Sequence, residues 1–417
     1  MKHHRGTILA LVLLGSTVLP AFAADFSFHG FVEGAGGFRV VDNPSISKDA
    51  TLGEGRLQAE LSYQGPKTGR LFLKADVIGD GVEEEGQIDL REAYLDFSPQ
   101  KVLDVRVGRQ ILTWGTGDLI FINDLFPKDF VSFYIGRSQD YLKAGSDAVK
   151  LSLFPGPFSL DLALVPHFRS SEVPKGERLS TFNPFTNKVT GRREKLSTRA
   201  PATNLENTEL ALRLYRTFGS YEAALYGFQG FFKEPVGIDP AKRVLSFPEL
   251  SAYGASLQGP FLQGIASLEF GYYDSREDRS GKDPEIENSS LRYLLGYEQE
   301  VWADFTVRAQ YFLEEMLDFH AYRASLAAGA PRRKDLRHLF FLRLTHLFRY
   351  QTVELSLVAF YSPSDEDAYL KPEASYKVTD NWSVAFGANF FFGKKDSTPF
   401  GQLDANDNLY LRLRYSF

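Results

Sequence analysis

The sequence predicts an all-β fold: a transmembrane antiparallel β-barrel of about 18 strands, with about 16 as the count one hairpin short, and a long inward-folded loop after strand 5. Three observations carry this expectation. Apolar and polar residues alternate with a period of two in segment after segment, down to the last residue. The runs last about 9 to 13 residues, longer than the 5 or 6 typical of soluble strands and matched to a tilted bilayer crossing. Aromatic rings gather at segment ends, as in Tyr293, Tyr297 and Trp302, or Phe390, Phe391 and Phe392, where the interfaces of a membrane need them.

Composition removes the competing classes. The 417 residues carry 47 basic and 53 acidic side chains, so the basic excess of a nucleic-acid binder is missing. No apolar run approaches the roughly 20 residues of a membrane helix. The 36 Phe, 20 Tyr and 3 Trp are far more rings than a disordered chain holds. With no Cys there are neither disulfides nor thiolate metal sites.

The elements follow in order. Lys2, His3, His4 and Arg5 precede the apolar stretch Ile8 to Leu14, and Ala21-Phe22-Ala23 offers small residues at the −3 and −1 positions. This reads as a secretory signal over residues 1–23, cleaved after Ala23, with 24–417 as one barrel domain. Strands are expected at 26–40, 54–64, 69–79, 87–97, 102–112, 146–154, 157–166, 208–218 and 220–231. They continue at 246–258, 264–274, 290–301, 304–315, 337–348, 351–361, 367–377, 382–393 and 405–417. Tight connections such as Gly65 to Thr68, Gly219-Ser220 and Trp302-Ala303 alternate with long ones at 113–145, 167–207, 275–289 and 316–336. That asymmetry is the one a barrel shows between its periplasmic and external rims.

A barrel of this size leaves a water-filled lumen. With the apolar faces toward lipid, the opposite faces turn Arg56, Glu60, Lys74, Asp76, Glu92, Asp96, Arg106, Arg213, Arg292, Arg308, Arg343, Arg412 and Arg414 inward, together with Lys371, Glu269, Glu298 and Glu373. The reverse assignment would place Arg in lipid at about 2 to 4 kcal/mol each near the midplane. Both signs are similarly abundant, so the wall's composition does not name the ion the pore would favour. Arg109 would face lipid unless Gly108 marks a bulge.

Leu90-Arg91-Glu92-Ala93-Tyr94-Leu95-Asp96, then Gly108-Arg109-Gln110, Trp114-Gly115 and Pro127-Lys128-Asp129, resemble a group of porin-like bacterial outer-membrane proteins. A weaker similarity runs to alginate-export-type barrels. The resemblance implies that loop 113–145 folds into the pore, and Arg109, Trp114, Asp118, Asp124, Asp129 and Arg137 are the residues expected at its constriction. It also implies a homo-oligomer, since trimers are common among porins. The terminal Phe417, after Leu413 and Tyr415, resembles the assembly signal read by the barrel assembly machinery.

Two loops carry uneven charge. Asp80, Glu83, Glu84 and Glu85 form an acidic loop whose spacing fails the EF-hand pattern, and Lys175, Arg178, Lys188, Arg192, Arg193, Lys195 and Arg199 make loop 167–207 basic. Both read first as solvated faces, the acidic one with a divalent ion as the alternative and the basic one with contact to anionic outer-leaflet lipid such as lipopolysaccharide, or to solute, as the alternative. The histidines beyond the signal, His29, His167, His320, His338 and His346, form no metal-binding spacing, and no nucleophile elbow or phosphate-cradling loop occurs. No cofactor, metal or catalytic residue is therefore expected. The function read from the sequence is passive diffusion of small polar or ionic solutes. The alternatives are an export conduit for a polysaccharide or hydrophobic compound that partners an inner-membrane transporter, and a surface adhesin or barrel enzyme.

Overall fold

The alternating segments join into one closed antiparallel sheet of 18 strands. In chain order these are β1 (Asp25–Arg39), β2 (Ala50–Gly65), β3 (Gly69–Asp80), β4 (Glu85–Gln100), β5 (Leu103–Gln110), β6 (Ser146–Leu153), β7 (Ser159–Val165), β8 (Glu209–Phe218) and β9 (Tyr221–Phe231). The second half is β10 (Glu249–Phe261), β11 (Gly264–Ser275), β12 (Ser290–Trp302), β13 (Phe305–Met316), β14 (Leu336–Phe348), β15 (Val353–Ser362), β16 (Asp367–Lys377), β17 (Trp382–Gly393) and β18 (Asn408–Ser416). The computed structural model describes residues 25–65 and 69–417. The proposed signal at 1–23 and part of the turn expected at Gly65 to Thr68 lie outside the described residues.

Each strand pairs with the next, and β1 closes the ring on β18 in register from Phe31 opposite Ser416 to Arg39 opposite Asn408. Closure leaves no row of unpaired backbone groups at a sheet edge, which is what a sheet surrounded by hydrocarbon requires. Phe417 extends the seam: Gly30 and Phe417 exchange backbone hydrogen bonds at 3.1 and 3.0 Å, and the Phe417 ring lies 5.6 Å from Phe28.

The two faces are chemically distinct. In β2, Leu57 is 43% exposed on the outside while its neighbour Arg56 is 4% exposed within. Rings cluster outside near the short turns, with Trp302 stacked on Phe305 at 4.1 Å and Trp382 at 5.0 Å from Tyr415. A second group lies nearer the long loops, including Tyr253 with Tyr272 and Tyr311 with Phe340. An exposed apolar band between aromatic girdles is the surface that a bilayer, and not water, stabilises.

Strict alternation fails at one informative place. Lys74 of β3 faces Glu92 while the next residue, Ala75, faces Leu90, so Arg91 is the extra residue of a bulge in β4. An odd-numbered residue that alternation would send to lipid is thereby turned into the lumen, where it is buried. Boundaries also differ from expectation: the strand expected at 405–417 begins at Asn408, because Gly401–Asn406 forms a 3-10 turn. Loop 167–207 is not a bare solvated segment; it contains a short hairpin, Thr181–Asn183 with Lys188–Thr190, and a strand Thr198–Arg199 beside Val244–Ser246.

Candidate functional site: the lumen and its inward loop

The segment between β5 and β6 folds as two arms tied at a common root. At the root, Asp124 accepts from Lys128 Nζ at 2.9 Å and from Thr113 Oγ1 at 2.8 Å, and Asp129 N–H donates to the Leu142 carbonyl at 2.7 Å. Burial pushes the Lys128 ammonium below the ordinary lysine range, and Asp124 pulls it back up. Asp124 is therefore a clasp that shapes the loop from its base.

The first arm, residues 113–124, lies along the inner wall. Trp114 is buried, edge-on to Phe126 at 5.1 Å, and belongs to the apolar cluster that glues the arm to the barrel. Glu269 of β11 accepts from Gly117 N–H at 2.7 Å, from Thr116 Oγ1 at 2.9 Å and from Asn123 Nδ2 at 2.8 Å. Gly115 permits this turn: its φ is +81°, and a Cβ there would lie 2.9 Å from the Glu269 carboxylate. The arm ends in Asp118, whose backbone N–H reaches Gln310 at 3.2 Å and whose carboxylate meets Arg343 Nε at 2.6 Å and Arg308 at 3.5 Å.

The second arm, residues 129–143, contains the short helix α1 (Phe130–Ile135). Asp129 caps it by accepting from Ser132 N–H at 2.8 Å, and Gly136, at φ +89° against the Tyr410 ring, ends it. Lys371 of β16 donates to the Phe133 carbonyl at 2.9 Å while its ammonium sits 4.1 Å from the Phe133 ring. Beyond the helix, Tyr141 donates to Asp76 at 2.8 Å with Arg56 and Arg91 against its ring at 4.1 and 4.2 Å. Between these anchors Gln139 accepts from Arg343 Nη1 at 3.0 Å. Arg343, on the wall at β14, thus joins the two arms.

Glu54 of β2 is the anchor that holds the second arm. Its carboxylate, 2% exposed, accepts from Arg56 at 2.9 Å and from Arg137 at 3.0 Å and lies 3.6 Å from Arg178. Arg178 belongs to the basic loop, which crosses the mouth as a strap. Phe130 N–H donates to the Glu172 carbonyl at 2.9 Å, Lys128 N–H to Ser171 Oγ at 3.0 Å, and Ser180 N–H to Asn406 at 2.9 Å. Arg178 also pairs with Asp80, Arg192 with Glu83 at 3.4 Å, and Lys48 with Glu84. The acidic and basic loops therefore meet through Asp80 and Glu83 on one side and Arg178 and Arg192 on the other.

Of the residues expected at a constriction, Asp118 joins the first arm to Arg343 and Arg308 of the wall, Asp129 and Arg137 organise α1 and its anchor, and Asp124 and Trp114 secure the root and first arm. Arg109 is a correction. The register of β5 against β4 and β6 runs unbroken through Gly108, so Arg109 shares the outward face of Val107 and Ala93. Gly108 has φ +124° but adds no residue to the ladder. Arg109 is neutralised there by a bidentate pair with Asp147 at 2.7 and 2.8 Å.

The wall charges are mutually paired. Lys74 meets Glu60 at 2.8 Å, Arg292 meets Glu314 at 2.8 Å, Arg412 meets Glu373 at 2.7 Å and Arg414 meets Glu33 at 2.8 Å, while Arg106, Arg213 and Arg308 pair with Asp96, Glu222 and Glu298. Above the inward loop opens a vestibule of about 610 Å³, floored by Phe121, Phe130 and Tyr134 and walled by Arg292, Glu314, Arg337 and Glu234. Glu54, Arg91, Arg178 and Glu234 were missed in the sequence. Glu54 needed only the alternation of Arg56 and Gln58 carried back two residues. Arg91 was hidden by its bulge, and Arg178 and Glu234 lie in loops with no periodicity.

No family model matches the chain, and no curated protein matches it in sequence. Solved structures do match in shape. A BenF-like porin from Pseudomonas fluorescens Pf-5 has 10% identity over 94% of this chain and 98% of its own, with a TM-score of 0.56. OccAB3 of Acinetobacter baumannii has 12% identity over 94% and 99%, with a TM-score of 0.55. OccK11 (OpdR) of Pseudomonas aeruginosa has 10% identity over 95% and 96%, with a TM-score of 0.53. At these identities the likeness is one of fold, and it spans nearly the whole of each chain.

Proposed function

We propose that this protein is an outer-membrane channel through which small polar or ionic solutes diffuse passively, with loop 113–145 as its size filter and the Asp118, Arg343 and Arg308 group as its charge filter. The observation that carries this reading is the meeting of both loop arms at Arg343, inside a closed barrel with an apolar exterior and a charge-lined interior. The shared fold with a porin and with Occ proteins supports it. A narrow, polar passage favours small hydrated solutes over a polymer, and the reading assigns no catalytic step. Proteoliposome swelling tests it. Influx of neutral sugars should fall steeply with molecular size, and swelling that is absent, or the same for mono- and trisaccharides, would reject the reading.

A further inference from the structure

We infer that the vestibule above the inward loop binds an organic cation, an ammonium or guanidinium carried on an apolar, ring-sized body, with Glu234 as the counter-charge. The inference deepens the channel reading and rests on it for its purpose, but the binding is measurable without any current.

Glu234 lines the vestibule and is exposed within it. Among the described residues it makes neither an ion pair nor a side-chain hydrogen bond, whereas the other vestibule carboxylates are occupied. Glu314 holds Arg292 at 2.8 Å, Asp365 holds Arg337 at 2.6 Å, and Glu287 holds Arg333. Its backbone is fixed from both sides. Ser171 N–H donates to the Lys233 carbonyl at 2.7 Å, Phe232 N–H donates to Pro248 at 3.0 Å, and the Lys233 ammonium is locked to Glu209. Pro235 restricts the chain on the other side. The carboxylate is therefore presented in place, which limits the ordering cost of binding.

The facing surface is aromatic. Tyr134 and Phe130 stack with centroids 6.3 Å apart, and Phe121 extends the same floor. The Tyr134 hydroxyl has no hydrogen-bond partner among the described residues. Burial and the charge of Glu234 both push its ionisation up, so it remains a neutral donor. An unanswered carboxylate beside ring faces and a free phenol is complementary to a cation with an apolar body: the charge takes Glu234, and the body or the charge itself takes the rings. An anion finds less among the vestibule arginines just named, which already hold carboxylates. Arg332 and Lys334 also line the vestibule without an ion pair among the described residues, and benzoate is the probe that reads their pull on an anion.

The experiment is calorimetric titration of benzylammonium into the folded full-length barrel in detergent, beside benzoate and beside Glu234→Gln, with heat-modifiable gel mobility as the check that the variant folds. Saturable binding of benzylammonium is expected, weakened about tenfold by Glu234→Gln and less by Tyr134→Phe, with benzoate binding more weakly than benzylammonium. Equal affinity for benzoate, or a Glu234→Gln barrel that binds benzylammonium as tightly as the parent, would overturn the inference. The same probe added to a bilayer recording should reduce the salt current. A barrel that binds benzylammonium but passes no salt would leave the cation site standing and remove the channel reading instead.

Discussion

Replacing Glu54 by alanine is expected to release both the second arm of the inward loop and the strap above it, giving a larger and noisier conductance from a barrel that still closes. Three guanidiniums, those of Arg56, Arg137 and Arg178, converge on this one carboxylate at 2.9, 3.0 and 3.6 Å. Removing the shared partner of a buried charge network costs about 3 to 5 kcal/mol where a charge is left unanswered. Here Arg137 is the most open to that loss, since Arg56 keeps Asp76 while the only carboxylate left to Arg137 is Asp129 at 3.8 Å. The cost falls on the loops, because the backbone pairing of β2 with β1 and β3 does not pass through the side chain. Arg137 then loses its tie to the wall, while Arg178 keeps Asp80, Glu83 and the Thr51 carbonyl at 3.0 Å. Open-channel noise and mean conductance at fixed salt read the effect, and tryptic cleavage after Arg178 should accelerate. A variant with the parent's conductance, noise and protease resistance would show that Glu54 does not hold the second arm.

Substitutions at Asp118 and Arg343 are expected to shift ion preference in opposite directions. Asp118 neutralises Arg343 at 2.6 Å and Arg308 at 3.5 Å. Asp118→Asn leaves one positive charge more at the narrowing and should favour anions; Arg343→Gln leaves one fewer and should favour cations. A unit charge about 8 Å from the ion path is worth about 2 kcal/mol at an effective dielectric of about 20. Salt screening brings this down to a several-fold change in permeability ratio. Reversal potentials in a salt gradient should move apart for the two variants and return toward the parent in the double substitution. Shifts of the same sign would place the ion path away from this group.

The barrel was legible because its rule is local. Each strand declares its two faces through alternation, as Leu57 beside Arg56 does, and the even count follows from where the short turns fall. The site was legible only in part. Asp118 stood out as a charge in a loop near a Trp-Gly pair, but its partners Arg308 and Arg343 lie about two hundred residues away in sequence, and nothing in the intervening residues joins them. Arg91 and Arg109 illustrate the opposite failures of a period-two rule. A bulge turns Arg91 inward against its parity, and at Gly108 a positive φ leaves the register intact, so Arg109 stays outside with Asp147. The acidic and basic loops each looked like a solvated face because a loop's sequence does not name the loop it will meet. Arg178 with Asp80, and Arg192 with Glu83, became visible only when the strap had been seen to cross the mouth.

The central claim is that the lumen conducts and that the loop arms meeting at Arg343 set what passes. Single-channel recording of the purified mature protein in a planar bilayer, in symmetric salt and then in a salt gradient, tests it most directly. The account predicts steady ohmic steps of small conductance, with a reversal potential that Asp118→Asn and Arg343→Gln move in opposite directions. A correctly folded barrel that stays silent, or one whose conductance and reversal potential ignore both substitutions, would contradict it.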